Sequence, residues 1–306
     1  MSHAPPLSST LVSIGVPTYN AADTIEATLD AILAQDHLNI EVVVADNASA
    51  DDTVRVCEVI ASEDPRLRIV RHDENMGWQY NFRYVLSAAR GPYFMWVGAD
   101  DRPAPTFVSR NLELLEQTPE LVASISRVRW LQSGEPGELA AGTDSLRGST
   151  RSNTAEYLRR ARDNSRFYAL HRTDVLRSSF PNADFYMLDL AVMLGTLRQG
   201  GHGLVDEVLL ERERSDVEGY VQYIQRDARS KRDLILPMRG FNRAILRDLR
   251  VPLSGRALWW LLVRNVYEHL RYWLSTGGSY GRLVRPLFQG LDAKRRRSRD
   301  TDDLTT

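Results

Sequence analysis

The chain has 306 residues, 43% of them hydrophobic and 26% charged, enough to bury the core of one large domain or of one domain with an appendage. Its 39 basic and 40 acidic side chains leave a formal net charge of -1 and a pI near 6.6, so no global cationic field gathers a polynucleotide and no nucleic-acid partner is expected. The only cysteine, Cys57, lies in the apolar-periodic stretch from Val54 to Ile60, which excludes an internal disulfide and a multi-cysteine metal site and predicts a buried thiol.

Met1 to Thr10 carries no basic region followed by an apolar core; it reads as a short disordered lead, not a signal peptide, and a cytoplasmic chain is expected. A parallel-sheet rhythm then begins. Leu11 to Val16 is a strand, Asp23 to about Ala34 a helix, Glu41 to Ala45 a strand and Asp52 to Ala61 a helix. Leu67 to Val70 is a third strand, Gln79 to Ala89 a helical stretch and Pro92 to Val97 a fourth strand. Apolar strands covered by helices on both faces bind ligands at their carboxyl ends. Three polar loops follow such ends: Pro17-Thr-Tyr-Asn20, Asp46 to Asp52, and Gly98-Ala-Asp-Asp101. Beyond about residue 130 the pattern weakens. Gln132 to Ser152 is rich in Gly, Ser and Thr and reads as a loop between two functional halves. Helical patterning returns near Thr154 to Asp163 and Met187 to Leu197, and the tail after about Lys231 is helical, aromatic and basic.

Adjacent carboxylates on a tight turn after a strand, Asp100 and Asp101, offer hard oxygen ligands to a divalent cation that also holds substrate phosphates; a solvated turn before a helix cap is the alternative. Asp46 ends a continuous apolar strand, where a carboxylate must be hydrogen-bonded or face a cavity, and it can pair with the imide nitrogen of uracil or thymine. Asp51 and Asp52 read as caps of the following helix. Pro17, Thr18 and Tyr19 can present backbone groups and an aromatic face to a base, or serve as ordinary turn residues. Gly77 permits either a close approach of ligand to backbone or a left-handed turn. In the second half Asp184 and Asp189 flank an apolar run, and Asp189 is either an N-terminal helix charge or a base in a pocket.

The apolar run Ala257 to Val263, bracketed by Arg256 and Arg264, is far short of the roughly 20 residues a bilayer span needs, so no transmembrane helix is predicted. Trp259, Trp260, Leu261, Leu262, Tyr267, Tyr272 and Trp273 lie among Arg256, Arg264 and Arg271 as in an interfacial amphipathic helix, which suits peripheral contact with the inner face of a membrane and a lipid-linked acceptor. The alternative is a helix packed on the catalytic domain or in a homodimer. Lys294 to Arg297 reads as a solvated, disordered end able to touch anionic lipid.

Ser13-Ile-Gly-Val-Pro-Thr-Tyr-Asn20, Val42-Val-Val-Ala-Asp-Asn-Ala-Ser-Ala-Asp51, Asn75-Met-Gly-Trp-Gln-Tyr-Asn81, Ala89-Arg-Gly91 and the acidic turn follow one another in an order and spacing that resembles the family-2 glycosyltransferases with the GT-A fold, over roughly residues 11 to 215. The resemblance implies an α/β nucleotide-binding sheet with flanking helices, here with a helical C-terminal region. It divides the chain into a lead (1–10), a catalytic domain (11–215), a helical appendage (216–290) and a disordered tail (291–306). Within the catalytic domain the nucleotide-sugar half is about 11–130 and the acceptor half about 150–215. By resemblance Pro17, Thr18, Tyr19, Asp46, Asn75, Gly77, Asn81 and Asp100 hold the nucleotide, and Asp100 with Asp101 binds a divalent cation, Mn2+ or Mg2+. The commoner acidic turn opens with Asp where this chain has Gly98. Members of that family tend to have an acidic residue opening a helix, a Gly some eleven positions on and an Arg after a following strand; Asp189, Gly200 and Arg212 resemble that spacing, which implies Asp189 as the general base with Asp184 in reserve, and the family's usual neighbouring Glu is Leu188 here.

The implied reaction moves a sugar from a nucleoside-diphosphate donor, UDP or dTDP first, to the hydroxyl of a saccharide or lipid-linked saccharide by single displacement with inversion, in cell-surface polysaccharide or glycolipid synthesis. Two other readings use the same fold. A sugar nucleotidyltransferase wants a glycine-rich basic loop after the first strand, which Pro17 to Asn20 lacks. A non-catalytic carbohydrate-binding or scaffold protein would bind without turnover.

Overall fold

The structure is a computed structural model and describes residues 9–160, 164–214, 224 and 231–275; the expected disordered tail and the Lys294 to Arg297 cluster lie outside the described residues. Strand β1 (Val12–Thr18) and β2 (Ile40–Asp46) are buried at every position, which is why both read as unbroken apolar runs: helices cover each face. They pair in parallel with β3 (Leu67–Arg71) on one side and β4 (Tyr93–Trp96) on the other. Helices α1 (Ile25–Leu33), α2 (Thr53–Glu63) and α3 (Trp78–Ala88) make the crossovers. Cys57 of α2 is buried, as expected, and burial pushes its thiol up to about 11.

The sheet continues past β4 in the order β3-β2-β1-β4-β8-β6-β9-β5. After β5 (Arg102–Pro103) and α4 (Phe107–Gln117) come the long strands β6 (Leu121–Gln132) and, after the second-half helices, β9 (Gly201–Glu213), which run parallel to each other. Between them lie β7 (Glu135–Leu139), α5 (Thr150–Arg160), a 3-10 turn (Ser165–Tyr168), β8 (Leu170–Arg172), α6 (Thr173–Ser179) and α7 (Leu188–Leu197). The expected loop from Gln132 to Ser152 is thus partly ordered. Ser133 (φ 54°) and Gly134 (φ 82°) turn β6 back on itself as a hairpin with β7. Every side chain of β7 is exposed, so no buried alternation marked it as a strand.

The C-terminal helices α8 (Lys231–Ile235) and α9 (Arg239–Arg243), a π-helical turn (Ala244–Asp248) and α10 (Gly255–Ser275) follow. Met238, Phe241, Ile245, Ala257 and Leu261 join one continuous apolar cluster with α7 and with the α3 side of the sheet. No helix among the described residues is long and apolar enough to cross a membrane.

Gly15 marks the tightest point of the nucleotide half. A Cβ there would stand 2.7 Å from both Phe94 Cζ and Val85 Cγ2, where α3 lies on the sheet. Gly15→Ala is expected to destabilise the fold by about 1–3 kcal/mol through overpacking, read as a lower midpoint in urea unfolding. An unchanged midpoint would mean that α3 sits farther from β1.

Candidate active site

Thr18 and Asp46 end β1 and β2 side by side in register. The Asp46 carboxylate is buried, accepts the Ser49 backbone N–H through Oδ2 at 3.0 Å, and has Arg71 Nε 3.8 Å from the same oxygen. Its Oδ1 and the neighbouring Thr18 hydroxyl are buried with no protein partner. Buried oxygens of this kind cost free energy unless something bonds to them, which leaves both able to accept from a donor outside the chain. Pro17 is buried behind them, and Tyr19 is exposed at the tip of the loop. Asp51 does cap: its Oδ1 accepts the Thr53 N–H and its Oδ2 the Ala22 N–H, while Asp52 pairs with Arg55.

The loop ahead of α3 is laced to these strand ends. Asn75 Oδ1 accepts from Asn47 Nδ2 at 2.9 Å and from the Gly77 N–H at 3.0 Å, and Asn47 Oδ1 accepts the Met76 N–H. Gly77 has φ 86°, a left-handed position that a side chain would strain, just before the first residue of α3. Asn81 is buried and donates to the Ala45 carbonyl at 2.7 Å and more weakly to that of Thr18, so it supports the loop holding Thr18 and Asp46 from behind.

At the end of β4 the two acidic residues part company. Asp101 is buried; it accepts the Gly98 N–H at 3.0 Å and Arg212 Nε at 3.1 and 3.2 Å. Arg212 comes from the far end of β9 and lies 3.5 Å above the Tyr168 ring and 5.3 Å from that of Trp130. Burial works against its charge, yet Asp101, Tyr168 and Asp100 together hold the guanidinium firmly protonated. The Asp100 side chain has no hydrogen bond or ion pair to another described side chain. Although it is exposed at the rim, its carboxyl sits in a recess: withdrawal from water, then the Asp101 charge beside it, push its pKa up to about 6. Gly98 packs against both carboxylates: a Cβ there would come within 2.8 Å of Asp101 Oδ2 and 3.0 Å of Asp100 Oδ1, so a larger residue needs the two side chains to shift, Asp101 away from its present contact with Arg212.

The second half brings Asp189 toward the same place. Asp189 lies in the first turn of α7 and accepts Asn164 Nδ2 at 2.7 Å; burial raises its pKa, against that hydrogen bond. Asp184 is differently placed, in an ion pair of 2.7 Å with Arg83 of α3. Tyr168 links the two halves. Burial first, and then the charges of Asp101, Asp100 and Asp189, push its hydroxyl up to about 12, so all three carboxylates act on one phenol. Of the spacing Asp189, Gly200 and Arg212, Gly200 has a packing part: its Cβ would lie 2.4 Å from Val122 Cγ1. Tyr168, Trp130, Asn164 and Arg71 were not singled out in the sequence. Their only mark is polarity or aromaticity in stretches without periodicity. Among the described residues no three His, Cys, Asp or Glu side chains converge as a ready metal cage. A hollow of about 270 Å³ between the loop ahead of α7 and the C-terminal helices is lined by Asp184, Tyr186, Arg239 and Arg243, and none of the strand-end residues reaches it.

A mixed sheet, parallel from β3 to β4 and partly antiparallel beyond, with polar loops at the carboxyl ends of β1, β2 and β4, gives an α/β architecture of the GT-A type. The profile described as Glycosyl transferase family 2 matches residues 13–180, more than half the chain, and the chain belongs to that family. It is 32% identical over 106 residues to the E. coli UDP-Glc:alpha-D-GlcNAc-diphosphoundecaprenol beta-1,3-glucosyltransferase WfaP, a match covering 35% of this chain and 41% of that protein. The chain spans less than half the length of the curated relatives it matches. Among solved structures, S. aureus TarS 1-349 in complex with UDP-GlcNAc shares the fold at TM-score 0.60 and 16% identity, over 85% of this chain and 71% of that one. The mannosyltransferase PcManGT from Pyrobaculum calidifontis, in complex with GDP-Man and Mn2+, does so at TM-score 0.53 and 19% identity, over 92% and 79%. The expected GT-A sheet with flanking helices is thereby borne out.

The raised pKa of Asp100 has a consequence for stability. A carboxyl that binds its proton more tightly folded than unfolded adds stability below the unfolded value and loses it as pH rises through about 6. In chelator at pH 7.5, Asp100→Asn is therefore expected to raise the unfolding temperature, by on the order of 1 kcal/mol of stability after discounting for exposure. The gain should vanish near pH 4. A variant less stable than the parent at pH 7.5 would contradict the strained charge.

Proposed function

We propose that the chain transfers a sugar from a nucleoside-diphosphate donor to an acceptor hydroxyl. The observation that carries this is the placing of two unpartnered buried oxygens, Asp46 Oδ1 and Thr18 Oγ1, on the same sheet edge as the open carboxylate of Asp100. Asp46 Oδ1 accepts the imide N–H of a pyrimidine base, which favours UDP or dTDP, and Tyr19 covers the base at the loop tip. The bound ligands of TarS and PcManGT, both nucleotide sugars, support the class of donor.

The acidic turn fits a hard divalent cation of the kind that arrives with its phosphates, since such ions are held by one or two carboxylates plus substrate oxygens. Asp100 would be the principal protein ligand, with Asp101 beside it already tied to Arg212. The cation, Mn2+ or Mg2+, would neutralise the departing diphosphate, and the Mn2+ in PcManGT supports that reading. Arg212 holds Asp101 in register and adds positive charge behind the turn. Asp189, with its pKa raised, takes the proton of the acceptor hydroxyl as it attacks the anomeric carbon; the C1–oxygen bond to the diphosphate breaks, and the configuration inverts. Asn164 orients the carboxylate for that role. The acceptor in the name of WfaP, a diphosphoundecaprenol-linked sugar, supports a lipid-linked saccharide acceptor and a place in cell-surface polysaccharide or glycolipid synthesis.

Asp189→Asn is expected to lower transfer by roughly a hundredfold or more while donor affinity stays within about twofold, because the amide cannot accept the hydroxyl proton. Asp184→Asn should keep most of the transfer rate. A loss in the Asp184 variant with retention in the Asp189 variant would move the base to the residue that Arg83 now holds. Binding of the donor with no turnover by the parent chain on any saccharide acceptor would favour the non-catalytic reading.

A further inference from the structure

Helix α10 has two unlike faces. Inward, Ala257, Leu261 and Tyr272 are buried, and the Glu268 carboxylate accepts the Tyr186 hydroxyl at 2.9 Å, on the loop that leads into α7 and Asp189. Arg264, also on this side, is close enough for its charge to act on Asp189. Outward, two adjacent rows at four-residue spacing run the length of the helix: Leu258, Leu262, Val266 and Leu270, and beside them Trp259, Val263 and Tyr267. Their exposures range from 37% for Val263 to 59% for Trp259. Seven large apolar side chains left in water on one stripe make a patch that calls for a cover.

Charge says which cover. Residues 231–275 hold nine basic side chains against three acidic ones, on a chain whose net charge is -1. Of the three acids, Glu268 is buried and Asp233 pairs with Arg239. Arg243, Arg247 and Arg250 are exposed on the segment that leads into α10, with Asp248 exposed among them, Arg256 is exposed in its first turn, and the stripe itself holds no acidic residue. Two copies meeting through this face would bring like charges together, and a transmembrane course is excluded for α10 by its hydropathy. An apolar stripe with Trp and Tyr, shouldered by arginines, matches the interface of an anionic bilayer, where the rings sit at headgroup depth and the guanidinium groups meet phosphate.

We propose that the outward face of α10 docks on an anionic lipid surface while its inward face carries the Tyr186 loop and Asp189, so that one helix ties the acceptor half of the site to the membrane. The docking stands on α10 alone; the link to the acceptor rests on the sugar-transfer reading above. Full-length protein is mixed with vesicles of phosphatidylcholine, with and without about one-third phosphatidylglycerol, and floated at about 0.1 M and about 1 M salt. The chain should float with anionic vesicles at least tenfold better than with neutral ones, and high salt should weaken this. Trp259→Ser with Leu262→Ser and Val266→Ser should cut flotation at least tenfold while the unfolding temperature and nucleoside-diphosphate binding stay unchanged. No flotation of the parent chain at low salt, or equal flotation of the triple variant, overturns the proposal. So does a stable dimer in sedimentation equilibrium that the triple substitution splits. None of these readings uses turnover, so loss of docking and loss of sugar transfer are scored separately.

Discussion

The ion pair of Arg212 with Asp101 holds this site in its shape. The two residues are 111 positions apart, and their contact draws the end of β9 onto the turn that follows β4. A buried pair gains nothing from burial by itself, because both charges lose water. Here the loss is met by two contacts to one carboxylate, by the Gly98 N–H and by the rings of Tyr168 and Trp130 against the guanidinium. Removing either partner would strand the other charge, a change that typically costs about 3–5 kcal/mol. The pair also gives the two aspartates different surroundings. With Asp101 satisfied by protein, Asp100 remains as the strained open carboxylate of the turn.

Around that anchor the two halves offer different chemistry. The first presents unpaired oxygens at β1 and β2, and its loops are tied to one another through Asn47, Asn75 and Asn81 so that Thr18 and Asp46 keep their register. The second presents one carboxylate, Asp189, whose surroundings come from three places: Asn164 ahead of the 3-10 turn, the αL residue Met187 before α7, and the inner face of α10. Charges from both halves act on the buried Tyr168 hydroxyl: Arg212 first, then Asp101, Asp100 and Asp189.

β1, β2 and β4 were legible because they are buried and largely apolar, and β3 from Leu67, Ile69 and Val70 although it is only partly covered; polar loops follow their ends. The long strands β6 and β9 were not. Strand β6 is buried at most positions but breaks its apolar run with Ser124, Ser126, Arg127 and Arg129, and β9 mixes Asp, Glu and Arg with apolar residues, so neither a period of two nor a continuous run stands out. Asp46, Asp100 and Asp101 could be singled out from their place after strands, but their inequality could not, since it depends on an arginine brought in by the tertiary fold. Likewise Asp189 is preferred to Asp184 in sequence only through its spacing to Gly200 and Arg212, and the ion pair of Asp184 with Arg83 is a difference in surroundings that the sequence does not carry. Gly98 stands where the commoner turn has Asp, and the structure adds that its Cα lies close against the carboxylates of Asp100 and Asp101.

The central proposal is that the ends of β1, β2 and β4 together bind a nucleoside diphosphate with a cation. Calorimetric titration of UDP into the protein, with Mn2+ and in chelator, tests it most directly. The account predicts binding that depends on the cation, that is lost in Asp100→Ala, and that weakens about tenfold or more in Asp46→Asn as the buried base contact is lost. UDP binding of equal strength in chelator and in both variants, or no binding of UDP, dTDP or GDP under any of these conditions, would contradict it.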